Sequence, residues 1–452
     1  ITRKYYYVTG YNSTLNPDTL SSSGVLNGIP KYEFSFNNIP SGNSNNSLFS
    51  FYLFSINSIA NYNPTGNGSH IGYDEVVEVN LDNSYTKHFF TNYGTDINGI
   101  SHFDEPPLGI TGWVPGNQSI YMKYSSKESE RGKTIGVFDF NKQDVLIKKR
   151  KITYRNDSNR FNDFLKQKII SSEFCPNGNS LLFAVAIKIF KYSYYPTSEE
   201  VTSYDLNGLN PITLTKNFSY NTNNQLAIEQ ITNSTQSNIL QTKYFYPCDN
   251  TISTEPNFSI LCQKNMINTP LKTENYYNSD LLSSQITKYG SFTSNILGQN
   301  MLLPQFIYAG KANVLEKKIT YDFYDTSGNL TQYTPESGMP VTIIWGYNKT
   351  QPIAKFENAT NAQVAAALGV ANISSLTEAN LPAIDALRNS SNTAIQKAMI
   401  TTYTHKPLIG VSTITDPKGD VMRYNYDTFG RLQNVTDKNG NKLSENEYHY
   451  KP

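Results

Sequence analysis

Short runs rich in Tyr, Val, Ile, Thr and Phe alternate with Asn, Gly, Ser and Asp clusters from Ile1 to Asn358, a pattern that predicts many strands joined by turns. Tyr73–Val79, Leu81–Tyr85 and Thr86–Tyr93 read as strand, turn, strand, although their alternation is imperfect. Two polar stretches, Asn37–Asn46 and Asn61–Ser69, hold too few apolar residues to order themselves and are expected to be long exposed loops. The period changes from Thr360 to about Lys397, where alanine becomes frequent. Thr360 and Gln363 form a capping box ahead of Val364–Leu368, and Gly369 supplies a stop. Leu381-Pro382 opens a second short helix, with Ile384 and Leu387 on one face.

These elements predict a mainly β fold, an extended antiparallel sheet or meander of hairpins with a short helical insert near residues 360–397. Four regions follow: 1–150, β-rich with long polar loops; 151–358, a degenerate β-repeat region; 359–400, the helical insert; and 401–452, a C-terminal β-meander. Apolar residues make up 38% of the chain, below the usual share, but 33 Tyr and 23 Phe supply contact area suited to half-buried pleated surfaces. Lys plus Arg total 38 against 37 acidic residues, so no single-sign field draws the chain to nucleic acid or anionic lipid. No apolar stretch reaches the roughly eighteen residues of a membrane span. The longest, Leu181–Ile189, is broken by Lys188. The run from Ile1 reads as a strand already under way rather than as a leader, and the chain is expected to be the later part of a longer precursor.

Candidate chemistry is sparse. The five histidines, His70, His88, His102, His405 and His449, are not spaced as metal pairs, and no Gly-x-Ser-x-Gly, phosphate loop or Cys-x-x-Cys is present. Asp104-Glu105 near Trp113 could serve a glycosidase, but chance explains the proximity. Asp437, Asn439, Asn441 and Glu445 offer oxygen ligands for Ca2+ with the glycine misplaced for an EF-type loop. No catalytic residue, cofactor or metal is therefore assigned. Cys248 and Cys262 flank a polar loop, Asp249–Ile260, that a disulfide could close; with Cys175 they could equally be three buried thiols. If the bridge forms, the compartment is oxidising. Tyr5-Tyr6-Tyr7 and Tyr244-Phe245-Tyr246 are the densest aromatic runs, expected to pack in strands, with sugar stacking or an interface as the alternative.

The most informative stretch is Tyr426-Asp427-Thr428-Phe429-Gly430-Arg431-Leu432. Asp427 can accept backbone amides in a turn, Gly430 can adopt positive φ, and Tyr426 with Leu432 can face one layer. Turns at Asp416–Gly419 and Asp437–Gly440 flank it, and looser copies occur at Tyr324-Asp325-x-x-Gly328-x-Leu330 and Tyr220-Asn221-x-x-Asn224-x-Leu226. Tyr204-Asp205 and Tyr277-Asn278 are weaker echoes.

Together these residues resemble the YD repeat of Rhs-type proteins. The stretch from Lys318 to Pro452, including Ile344-Trp345-Gly346-Tyr347-Asn348, Pro352–Lys355 and Lys406–Gly410, resembles the closing section of large YD-repeat proteins of Bacteroidetes. The resemblance implies long coiled sheets that form shells or surface scaffolds, some enclosing a C-terminal toxin; here no cargo domain is expected after the last repeat. Asp416-Pro417-x-Gly419 resembles part of a shell self-cleavage signature, with an ordinary turn as the alternative. Asp18-Thr19-Leu20 resembles an O-glycosylation acceptor of Bacteroidetes envelope proteins, or is an unmodified turn. The expected function is a non-enzymatic scaffold at the cell surface or outer membrane, on its extracellular or periplasmic face. Its expected partners are other envelope proteins, including an outer-membrane secretion (type 9) or gliding-motility assembly. A carbohydrate-binding adhesin and a remnant toxin shell without cargo are the alternatives.

Overall fold

The alternation of apolar runs with Asx-Gly turns folds into antiparallel strands, of which, among the described residues, 21 belong to one large sheet. The computed structural model describes residues 3–26, 33–38, 49–54, 71–111, 125–174, 180–252, 254–294 and 299–448. Of the stretch expected as a loop over Asn37–Asn46, Asn37 and Asn38 instead end the strand Glu33–Asn38, paired with Phe49–Phe54; residues 39–46 and 61–69, together with His70, Trp113, Cys175 and His449, lie outside the described residues. The chain divides into two compact units, Ile1–Gln241 and Thr242–Pro452.

In the first unit, Lys4–Tyr6 pairs with Glu75–Val79, which pairs with Tyr85–Phe90, then Thr134–Phe140 and Leu146–Tyr154. Pro196–Ser203, Ile212–Tyr220 and Leu226–Asn233 continue the ladder. Residues alternate between faces at a period of two, so Glu75, Val77 and Val79 point inward while their neighbours are half-buried. Tyr85 stacks on Phe140 at 4.8 Å, and Tyr11 meets Tyr85 edge-on at 5.1 Å, closing this core with rings. A smaller sheet joins Phe164–Phe174, Ser180–Phe190 and Gly109–Thr111. The apolar run Leu181–Ile189 is thus part of a paired strand. Among the described residues no helix is long and apolar enough to cross a membrane.

Lys4–Tyr6 is short, and its rings do not all pack. Tyr6 stacks on Tyr11 at 5.7 Å, whereas Tyr5 and Tyr7 are 51% and 46% exposed. Core packing of that run is therefore limited to its middle residue, because alternation on a single strand turns the flanking rings away. In the second aromatic run Tyr246 is buried and Phe245 packs against a core.

The second unit is a meander in which each strand pairs with the next, from Lys272–Tyr277 and Asp280–Thr293 to Leu432–Thr436 and Lys442–Glu445. The insert packs on its strands in the larger of its two buried clusters among the described residues. Asn361–Ala367 is capped by Thr360, whose N–H donates to Gln363 Oε1 at 2.8 Å while the Gln363 N–H donates to Thr360 Oγ1 at 3.3 Å. Gly369 ends it at φ +66°, a left-handed position that a Cβ would penalise. Leu381–Ala386 follows with proline in its first turn. Val364 and Ile384 are fully buried against the strand residues Ile344, Ile353, Phe356 and Ile400. A second core gathers Ile252, Phe258, Leu261, Leu271, Ile286 and Leu302.

Candidate functional site

Asp427 closes its corner with its own side chain. Its Oδ1 accepts the N–H groups of Phe429 and Arg431, both at 2.9 Å, while its N–H donates to Arg431 O and its carbonyl accepts Gly430 N–H. Gly430 stands at φ +75°. The five-residue loop is a type I turn with a glycine bulge, and the ladder shifts register beside it, between Asn425 and Tyr426. Asp325 does the same with Ser327 and Asn329, and Gly328 takes φ +88°. The pattern recurs at Asp416 and Asp437, and in the first unit at Asp96, Asn141, Asp205 and Asn221. Glycine is not obligatory: Asp144 and Asn224 take positive φ in two of these corners. Tyr277-Asn278 is different, since Tyr277 pairs directly with Asp280 across a two-residue turn.

The tyrosine before the acid has a separate task. Tyr426 Oη donates to Val411 O at 2.9 Å, Tyr324 Oη to Pro304 O at 2.7 Å and Tyr220 Oη to Pro196 O at 2.8 Å. Tyr154 Oη reaches Thr134 O, Trp345 Nε1 reaches Leu330 O and Tyr448 Oη reaches Leu432 O in the same way. Each bond runs to a carbonyl of the preceding paired strand or its edge, so the ring lies across two strands as a strap. Arg431 completes the C-terminal corner: it bonds Asp427 Oδ2 at 2.7 Å and stacks between Phe429 and Tyr448. Leu432 is half-buried opposite Tyr426.

This meander matches the model of the RHS Repeat family over residues 410–442. The chain carries an RHS repeat. Its fold is also similar to the crystal structure of TcdB2-TccC3-TEV, at 8% identity and a TM-score of 0.38, over 82% of this chain and 21% of that one. The crystal structure of TcdB2-TccC3 without its hypervariable C-terminal region is similar at 8% identity and a TM-score of 0.36, over 83% and 21%. The chain therefore spans about a fifth of the length of these structures. No curated protein matches it.

Outside the RHS repeat, one acid–base cluster is fully enclosed in the first unit. His102 Nδ1 faces Glu130 Oε2 at 2.8 Å and its Nε2 faces Asp96 Oδ2 at 3.2 Å. Glu130 Oε1 accepts Arg160 Nε and Tyr192 Oη, both at 2.8 Å. Burial alone would lower the pKa of His102, but its hydrogen bonds to the two carboxylates, and their charges, outweigh burial and raise it. Burial would raise Asp96 and Glu130, and their hydrogen bonds reverse it, holding both below the usual carboxylate range. Burial and the Glu130 charge push the Tyr192 hydroxyl well up. The residues are dispersed from 96 to 192, and nothing in the local sequence announces that they meet. His102 and Glu130 are wholly buried and every strong hydrogen-bonding site between them is matched, an arrangement suited to holding loops together rather than to meeting substrate.

The remaining sequence candidates are occupied by neighbours. Asp104 is paired with Arg131, and Glu105 with Lys188 at 2.8 Å, so neither resembles a free glycosidase acid. Asp437 spends Oδ1 on Asn439 and Asn441 amides and Oδ2 on Asn441 Nδ2; Glu445 is paired with Lys442. Among the described residues no group of three His, Cys, Asp or Glu side chains could hold a metal ion. Cys248 and Cys262 form a disulfide with Cα atoms 5.2 Å apart, tying Phe258–Gln263 to the chain entering it. Thr19 is exposed at the end of a turn, Pro17–Thr19, with its hydroxyl donating to Asn16 O at 2.8 Å. A recess of about 430 Å3 beside the repeat is lined by Tyr347, His405 and Leu408, but His405 Nε2 is already bonded to Pro352 O.

Proposed function

We propose that the chain is a non-enzymatic YD/RHS-repeat scaffold whose sheet offers contact area to protein partners at the cell surface. The carrying observation is the repeated corner and strap, which commits the acids and phenols of the repeat to closing backbone and leaves them no part in bond making. The disulfide supports an oxidising surface or outer-membrane location, because such bridges are rare where thiols are kept reduced. The finer reading, from the resemblance alone, is a portion of a larger Bacteroidetes surface protein. Its partners would be envelope proteins such as an outer-membrane secretion (type 9) or gliding-motility assembly, with Thr19 as an O-glycosylation site.

Purification of the full chain from native envelopes under non-reducing conditions tests this. A stoichiometric envelope partner and protease accessibility on intact cells are expected. A cytoplasmic, unpartnered protein, or one whose turnover of a substrate dies with a single substituted acid, would sink it. A second reading, glycan binding, is favoured by exposed Tyr5 and Tyr7, the latter 4.5 Å from Tyr73. A glycan array that stays blank, or binding unchanged by Tyr7→Ala, removes it.

A further inference from the structure

Both ring nitrogens of His102 face carboxylate oxygens within hydrogen-bond distance. A neutral imidazole has one donor and one acceptor nitrogen, so in this geometry it would turn a lone pair on an anion; only the doubly protonated ring satisfies both. Four segments of the first unit converge there. Asp96 comes from a corner of the repeated type, and its Oδ1 is held by the amides of Asn98 and Ile100. In the corners at Asp205, Asp325, Asp427 and Asp437 the second oxygen binds a side chain within or just after the turn. At Asp96 it is turned to His102 instead.

Glu130 comes from the turn Glu128–Glu130, Arg160 from Ser158–Asn162, and Tyr192 from the segment after Ser180–Phe190. Tyr194 meets the ring edge-on at 6.1 Å and stacks on Tyr154, the Arg131 guanidinium donates to the His102 carbonyl, and Asp74 feels the charge of Asp96. The close group of His102, Arg160, Asp96 and Glu130 is neutral only while His102 is charged. Loss of its proton leaves two buried carboxylates sharing one cation.

We propose that His102 is a base-released latch, joining the loops around residues 91–108 and 125–133 to the Ser158–Asn162 turn while doubly protonated and freeing them when it loses a proton. The sign follows from the geometry. The closed form keeps a proton that the open form gives up at the ordinary imidazole value. The latch is therefore fully closed below that value and is lost as pH rises through the higher closed-state value. The carboxylates, depressed by the same contacts, keep it closed well into acid. An ordinary buried neutral histidine would open in the other direction, on acidification.

Ring 15N spectra of the full chain against pH, with His102→Gln to assign the signal, are the direct test. One of the five histidines should stay doubly protonated above the ordinary value and vanish from the variant. Limited proteolysis of the wild type should cut in 91–108 and 125–133 about tenfold faster per pH unit between the two values, then level off. His88→Gln and His405→Gln should keep that slope, which reads the latch even if His102→Gln does not fold. His102 titrating at or below the ordinary value, a cleavage rate flat with pH, or a slope abolished by His88→Gln or His405→Gln would overturn the proposal.

Discussion

Tyr426 and Asp427 divide one task between opposite directions along the chain: the acid folds the next four residues, and the phenol ties back to a strand already made. Gly430→Ala meets only ordinary contact with Ile409, the nearest atom at 3.7 Å, so its cost is conformational. We expect about 1–2 kcal/mol of destabilisation from an L-residue at positive φ. Tyr426→Phe should lose about 1 kcal/mol with the strap bond. Asp427→Asn should keep the corner, as Asn141 and Asn221 do in theirs, whereas Asp427→Ala should open it. Chemical denaturation and amide exchange at Phe429 and Arg431 read all four. The roles of Asp427 and Gly430 were legible in the sequence because acceptor, donors and glycine lie within five residues; the strap of Tyr426 was not, because its acceptor on Val411 belongs to the preceding strand. The His102 cluster was not, since its members meet only through tertiary packing.

The helical insert was legible as an element for a related reason: its cap, its stop and its proline are local signals. What it packs against was not. Lys349, itself at φ +64°, sends Nζ to the carbonyls of Trp345, Ser374 and Leu376, at 3.2, 2.6 and 3.4 Å, and so fixes the insert to a strand turn. Lys349→Met removes those bonds while keeping much of the stem, and proteolysis within 369–380 should quicken with the strand ladder intact. The disulfide acts on another element. Replacing both Cys248 and Cys262 by serine should cost roughly 3 kcal/mol, through the freedom restored to the unfolded loop. Denaturant titration of oxidised wild type against the double variant measures it. Sequence spacing allowed that bridge but could not choose it over free thiols.

Across the whole molecule the two devices fall in different units: the histidine cluster in Ile1–Gln241 and the disulfide in Thr242–Pro452. Calorimetry should therefore resolve two transitions, with alkali lowering one and reductant lowering the other; a single transition moved equally by both would contradict this. Sheet class was readable from hairpin spacing, and so was strand order in the second unit, where consecutive strands pair as neighbours; the first unit, where Lys4–Tyr6 pairs with Glu75–Val79 and Leu146–Tyr154 with Pro196–Ser203, skips intervening strands and was not. The strap bonds carry one more consequence. Tyr154, Tyr220, Tyr324, Tyr426 and Tyr448 all reach toward residues of lower number, never ahead. Such a fabric can be woven as the thread arrives: a polypeptide emerging amino end first from a ribosome or a pore would find each new row's fastening point already in place.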